Sequence, residues 1–133
     1  MAANTQAIFP NVPINGIGTL TSATAITSRA NITGTTGLVQ LTATSTNGTR
    51  VDQITVKGKG TTVASVIGIW VYNGTTSFLR DEIDVAATTA STTVDSVLAS
   101  KSYTTLVVPP TYQLFISQTV QTDVNVFAEG GQY

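Results

Sequence analysis

The fold is decided by residues 62–85, Thr-Val-Ala-Ser-Val-Ile-Gly-Ile-Trp-Val-Tyr-Asn-Gly-Thr-Thr-Ser-Phe-Leu-Arg-Asp-Glu-Ile-Asp-Val. Thr62 to Tyr72 reads as the most apolar strand of the chain. Val63, Ser65, Ile67, Ile69 and Val71 line one face, and Val66, Gly68, Trp70 and Tyr72 line the other. Successive side chains of a strand point to opposite faces, so apolar character on both means that both are covered. The domain's own core covers one. A loop, the N-terminal arm or another subunit covers the second. Asn73-Gly74 then supplies two residues that tolerate the positive φ of a type I′ turn, which predicts a hairpin. Ser77 to Val85 returns as a strand with Leu79, Ile83 and Val85 on one face together with Asp81.

The same signals extend in both directions. Upstream, Ala25 to Ile32 alternates weakly and Leu38 to Ser45 more clearly. Asn47-Gly48 predicts a second hairpin, returning through Arg50 to Gly58. Downstream, residues 86–102 form a long Ala/Thr/Ser-rich connection. Tyr103 to Val108 reads as a strand stopped by Pro109-Pro110, and Tyr112 to Ser117 and Val124 to Ala128 alternate again. About eight strands with turn signals between them predict an all-β fold, an antiparallel β-sandwich with jelly-roll topology favoured over an immunoglobulin-like one. Residues 25–133 form this sandwich. Residues 1–24 read as an extended N-terminal arm, with Pro10 and Pro13 and with Ile8, Phe9, Val12, Ile14 and Ile17 in no regular period.

Composition agrees with this reading. Thr makes up about a fifth of the 133 residues, and Thr, Val and Ile together about two-fifths. Such β-branched side chains are stiff at χ1 and pack well on a pleated surface. No sustained helical stripe with caps is present. Charged residues are only 10% of the chain and the formal net charge is −1. A neutral, hydroxyl-rich surface does not steer charged partners over distance, and near-zero net charge favours self-association.

These numbers exclude several function classes. With no His and no Cys, the chain has no His-dependent triad, no His/Cys zinc site and no disulfide. The six basic residues are scattered, so a nucleic-acid footprint is not expected. The start of the sequence lacks the charged and apolar regions of a secretory signal, and no apolar run approaches the length of a membrane span. Synthesis in a cytoplasm, with no membrane partner, is the expectation. Glu82 and Asp84 would lie about 6–7 Å apart on one strand face. That spacing suits paired glycosidase carboxylates or a hard cation, but any solvated strand face looks the same. Gly58-Lys59-Gly60-Thr61-Thr62 lacks the first glycine of a phosphate loop, because Gln53 stands there, and reads as a corner. No catalytic residue, metal ligand or cofactor site is assigned, and the chain is not read as an enzyme. Trp70 and Tyr72 beside Gly68 are either a sugar-stacking platform or, more in keeping with so apolar a strand, a buried aromatic pair.

The stretch Arg50 to Tyr133 resembles small virion proteins of tailed bacteriophages, the capsid decoration or cement class. The resemblance rests on Arg50-Val51-Asp52-Gln53-Ile54-Thr55-Val56, on Ile67-Gly68-Ile69-Trp70-Val71-Tyr72-Asn73-Gly74 and on Leu79-Arg80-Asp81-Glu82-Ile83. Leu106 to Pro110, Leu114 to Gln118 and the ending Gly130-Gly131-Gln132-Tyr133 complete it. It implies a non-catalytic jelly-roll subunit, commonly a homotrimer, made in the host bacterial cytoplasm. Such a subunit sits on the outer surface of the virion head and clamps the major capsid protein. Phe9, Ile14, Trp70, Tyr72, Phe115, Phe127 and Tyr133 are the candidate interface residues. A receptor- or glycan-binding module of a head or tail fibre is the alternative.

Overall fold

The computed structural model describes residues 12–21 and 24–133, and every described element is a strand. The nine strands are β1 (Val12–Leu20), β2 (Ile32–Thr33), β3 (Val39–Gln40), β4 (Thr49–Gly58), β5 (Ser65–Tyr72), β6 (Thr76–Val85), β7 (Leu98–Val108), β8 (Gln113–Gln118) and β9 (Val124–Gln132). They form a four-stranded sheet in the order β1-β9-β4-β7 and a five-stranded sheet in the order β2-β6-β5-β8-β3. All pairings between these nine strands are antiparallel and the two sheets pack face to face, so the chain is an all-β sandwich.

The pairing is nested. The first strand pairs with the last (β1·β9), then β3 with β8, β4 with β7 and β5 with β6. The innermost pair is the Thr62–Val85 region, and its tip is the Asn73-Gly74 turn. There Gly74 has φ +96°, and the Asn73 carboxamide oxygen accepts from the Thr75 and Thr76 amides at 2.9 and 2.8 Å. Alternation carries one face of each long strand into the gap between the sheets. Val51, Ile54 and Val56 of β4 meet Ile67 and Ile69 of β5, Leu114 and Ile116 of β8, and Val124, Val126 and Ala128 of β9 there, all fully buried.

Four expectations are corrected. Asn47-Gly48 is not a hairpin: β3 belongs to the five-stranded sheet and β4 to the four-stranded one, so this dipeptide turns the chain across the sandwich. Gly48 still has φ +94°, and its carbonyl accepts from the Ser45 hydroxyl and from the Tyr133 amide. Of the strands expected over 25–32 and 38–45, only the two-residue pieces β2 and β3 form, with an isolated bridge from Ala25 to Gln118. The strand expected from Tyr103 begins at Leu98. Finally, residues 12–20 of the expected arm are a strand of the sandwich. They pair along their whole length with β9, and Leu20 is fully buried. The inward positions of this strand include Gly16 and Gly18, which carry no side chain to announce a period. A Cβ at Gly18 would sit 2.8 Å from Ile116 Cδ1, so glycine lets this strand lie close against the opposite sheet.

Candidate interaction surfaces

The two outer faces of the sandwich are finished differently. On the five-stranded sheet, Gly68, Trp70 and Tyr72 of β5 pair with Ser117, Phe115 and Gln113 of β8. Trp70 is 1% exposed, yet it stands outside the core cluster between the sheets. Its indole lies against Gly68, where a Cβ would be 2.8 Å from Nε1, and Nε1–H donates to the Ser117 hydroxyl at 2.8 Å. The cover comes from the segment 24–38. The Ile26 amide donates to the Gln118 carbonyl at 2.8 Å, and Ile26 and Arg29 line the small cavity over Gly68, Trp70 and Leu79. Arg29 makes a two-point ion pair with Glu82 at 2.8 and 3.0 Å. Farther along, the Ser77 hydroxyl donates to the Gly34 carbonyl. The second face of the most apolar strand is therefore covered by the chain's own loop.

This arrangement places the candidate residues. Trp70 is buried and Phe115 is 8% exposed, so neither offers a free stacking platform. Tyr72 is half-buried and meets Phe115 edge to face, with ring centroids 5.5 Å apart. Tyr133 is half-buried at the Gly48 turn. Ile14, half-buried on β1, borders a cleft with Thr42, Ala43 and Gln132. Phe9 lies outside the described residues. Phe127 is separate from all of these, half-buried on the outer face of the four-stranded sheet.

No segment among the described residues crosses that sheet as 24–38 crosses the other. Registers set its outward side chains in rows. Ile17, Phe127, Thr55 and Ser100 form the middle row. On one side of it lie Thr19, Asn125, Lys57 and Leu98; on the other lie Asn15, Glu129, Gln53 and Ser102. Ile17 is 57% exposed and Leu98 66%. Within these three rows the face is an apolar centre with a rim of amides, hydroxyls and one charge of each sign; the row beyond Glu129 carries Arg50, paired with Asp52, beside Gly131 and Val107. Sequence reasoning found Phe127 but missed Ile17 and Leu98 as its surroundings, because only the strand registers make them neighbours.

The charged groups are mostly tied down. Among the described residues Arg29 pairs with Glu82, Arg50 with Asp52, Lys59 with Asp123 and Lys101 with Asp81. The Glu82 carboxyl is held below its usual range by the Arg29 hydrogen bonds, and the Arg29 guanidinium is raised in return. A carboxylate so engaged is poorly placed to act with Asp84 as an acid–base pair. Asp81 accepts from Lys101 Nζ at 2.8 Å, Tyr103 Oη at 2.9 Å and the Glu82 amide at 2.8 Å. This joins β6 of one sheet to β7 of the other. No cluster of three or more His, Cys, Asp or Glu that would hold a metal ion occurs among the described residues. An open depression of about 570 Å³ lies between the Lys57–Gly60 corner and the 90–96 loop. Its Lys57 ammonium already donates to the Ser96 carbonyl, and Lys59 is paired with Asp123. No protein-family model, curated protein or solved structure matches the chain.

Proposed function

We propose that this chain is a structural virion protein of the capsid decoration class, seated on the outside of a tailed-phage head and stabilising the shell of major capsid protein. The observation that carries the reading is the set of strand motifs between Arg50 and Tyr133. Each falls on an element that builds the sandwich: Arg50–Val56 on β4, Ile67–Tyr72 on β5, Leu79–Ile83 on β6 and Leu114–Gln118 on β8. The nested strand order supports reading the sandwich as a jelly roll, a long hairpin with its tip at Asn73-Gly74 rolled into two sheets. The neutral composition suits attachment through flat, individually weak contacts repeated over several subunits, which multivalency strengthens. The glycan-binding alternative draws less support, because Trp70 is buried and its ring nitrogen is already bonded.

Cryo-electron microscopy of phage particles purified from cells that produce this chain tests the proposal. Density for the sandwich at fixed positions over the capsid lattice is the expected result. Its location in a fibre or tail would replace this reading with another. A chain found nowhere on the particle would overturn the virion assignment.

A further inference from the structure

The outer face of the four-stranded sheet carries a pattern with its own consequence. Its apolar centre, Ile17 beside Phe127, is flanked on opposite sides by rows holding opposite charges: Lys57, whose ammonium gives one of its three donors to the Ser96 carbonyl, in one and Glu129 in the other. Within one copy these two groups are about four residues apart along the strands, or about 13 Å, too far to pair with each other. Asn15, Thr19, Gln53, Asn125 and Ser102 complete a rim able both to donate and to accept hydrogen bonds.

We propose that a second copy of this chain packs on this face, sheet against sheet, about a two-fold axis that runs across the strands through the Ile17–Phe127 row. Such an axis reverses the order of the rows. It lays apolar centre on apolar centre and brings the Lys57 row of each copy over the Glu129 row of the other. The surface is therefore complementary to itself, as an isologous contact requires. The ion pairs lie at the rim, where they select register more than they add affinity. The twist of two aligned sheets, about 30° between strand directions, is accommodated by the long Lys57 and Glu129 side chains. With the axis on the Ile17–Phe127 row, beyond which the sheet continues only three residues on its shorter side, four strands at about 4.8 Å and the seven overlapping residues at about 3.4 Å give about 460 Å² per copy, below the usual size of a specific interface. The association is accordingly weak and concentration-dependent. It is two-fold, in place of the three-fold state that the family resemblance implies, and it stands independently of the virion reading.

Sedimentation equilibrium of the full chain from about 1 μM to 1 mM tests it. The expected result is a monomer–dimer equilibrium with a dissociation constant in the micromolar range. Lys57→Glu and Glu129→Lys should each weaken the dimer about tenfold, because each puts like charges together at both ends of the interface. The double variant should return to within about threefold of the wild type. Ile17→Lys, which alters the centre and neither charge, should abolish dimers on its own, and far-UV circular dichroism verifies that all four variants are folded. A monomer at 1 mM, a trimer, or a dimer indifferent to these changes would each overturn the proposal. So would single variants that weaken the dimer without rescue in the double.

Discussion

At Asp81 three donors converge on one carboxylate from two strands, and the pH response of the fold follows from them. Burial alone would raise its pKa. The hydrogen bonds from Lys101, the Glu82 amide and Tyr103, with the Lys101 charge, outweigh burial and hold the carboxyl below its ordinary value. The other charges nearby are Arg80, Glu82 and Asp84 on the same strand, with Arg29 on Glu82. A depressed carboxylate binds fewer protons folded than unfolded, so its contribution is complete above about pH 4 and is lost as pH falls through the folded value. Urea midpoints should therefore drop as pH falls below about 4, and Asp81→Asn should flatten that drop. At neutral pH the same substitution should cost about 1–2 kcal/mol, since Lys101 and Tyr103 lose a charged acceptor. Tyr103 is raised well above the usual phenol value by burial and by Asp81, so it should ionise late in an alkaline absorbance titration. Trp70 offers a second check. Its emission should be blue-shifted and resistant to acrylamide, and Trp70→Ala should destabilise by about 3–5 kcal/mol. A red, easily quenched spectrum would contradict the cover described over β5.

Among the elements, the two Asn-Gly dipeptides show what a local signal means. Both place glycine at positive φ, near +95° at Gly48 and Gly74 alike. Only one joins paired strands. At Asn73 the carboxamide caps the turn, and Thr76 faces Asn73 across it. At Asn47 the chain leaves one sheet for the other. Gly→Ala at either site should cost about 1 kcal/mol or more, because alanine is strained at that φ. At Gly48 the loss should be larger, since a Cβ would also stand 3.0 Å from the Val108 carbonyl oxygen. β1 carries the other prediction at this scale. Deleting residues 2–20 removes a strand bonded along nine positions to β9 and takes away buried Leu20. The thermal midpoint should fall by more than about 10 °C, or the chain should fail to fold. A truncated protein as stable as the full chain would show that β1 is dispensable to the sandwich.

For the whole molecule, nesting makes nearly every strand pair distant in sequence. The exception is the β5·β6 tip, closed by three residues, while β1 and β9 are joined from the two ends of the described chain. Loop-closure entropy must be met before such pairs form, so folding should be slow for a domain of this size, in milliseconds to seconds. Conservative core substitutions in the β5·β6 hairpin, such as Ile67→Val or Ile83→Val, should slow folding. Val126→Ala on β9 should mainly speed unfolding. Stopped-flow chevrons of these variants read the difference directly. Equal effects on folding from both sets would contradict an order that starts at the tip.

Much of this molecule follows from residues near one another in the chain. Alternation with β-branched residues, bounded by glycine, proline and asparagine, marks β4, β5, β6, β8 and β9 to within a few positions, and Asn73-Gly74 marks the tip. Those signals are local: χ1 stiffness, the two-residue period of a strand and the tolerance of positive φ by two residues. What they leave open is who pairs with whom. Whether the strand after Asn47-Gly48 turns back on its predecessor or crosses to the other sheet depends on contacts summed over β7 and β9, far along the chain. Trp70 looks the same in sequence whether a subunit, a ligand or the loop bearing Ile26 and Arg29 lies over it. Asp81 becomes a junction only because β6 and β7 meet at the open side of the sandwich, and Lys57, Phe127 and Glu129 share a face only through the registers of β4 and β9. Register and cover are properties of packed pairs, and a pair distant in sequence has no local signature.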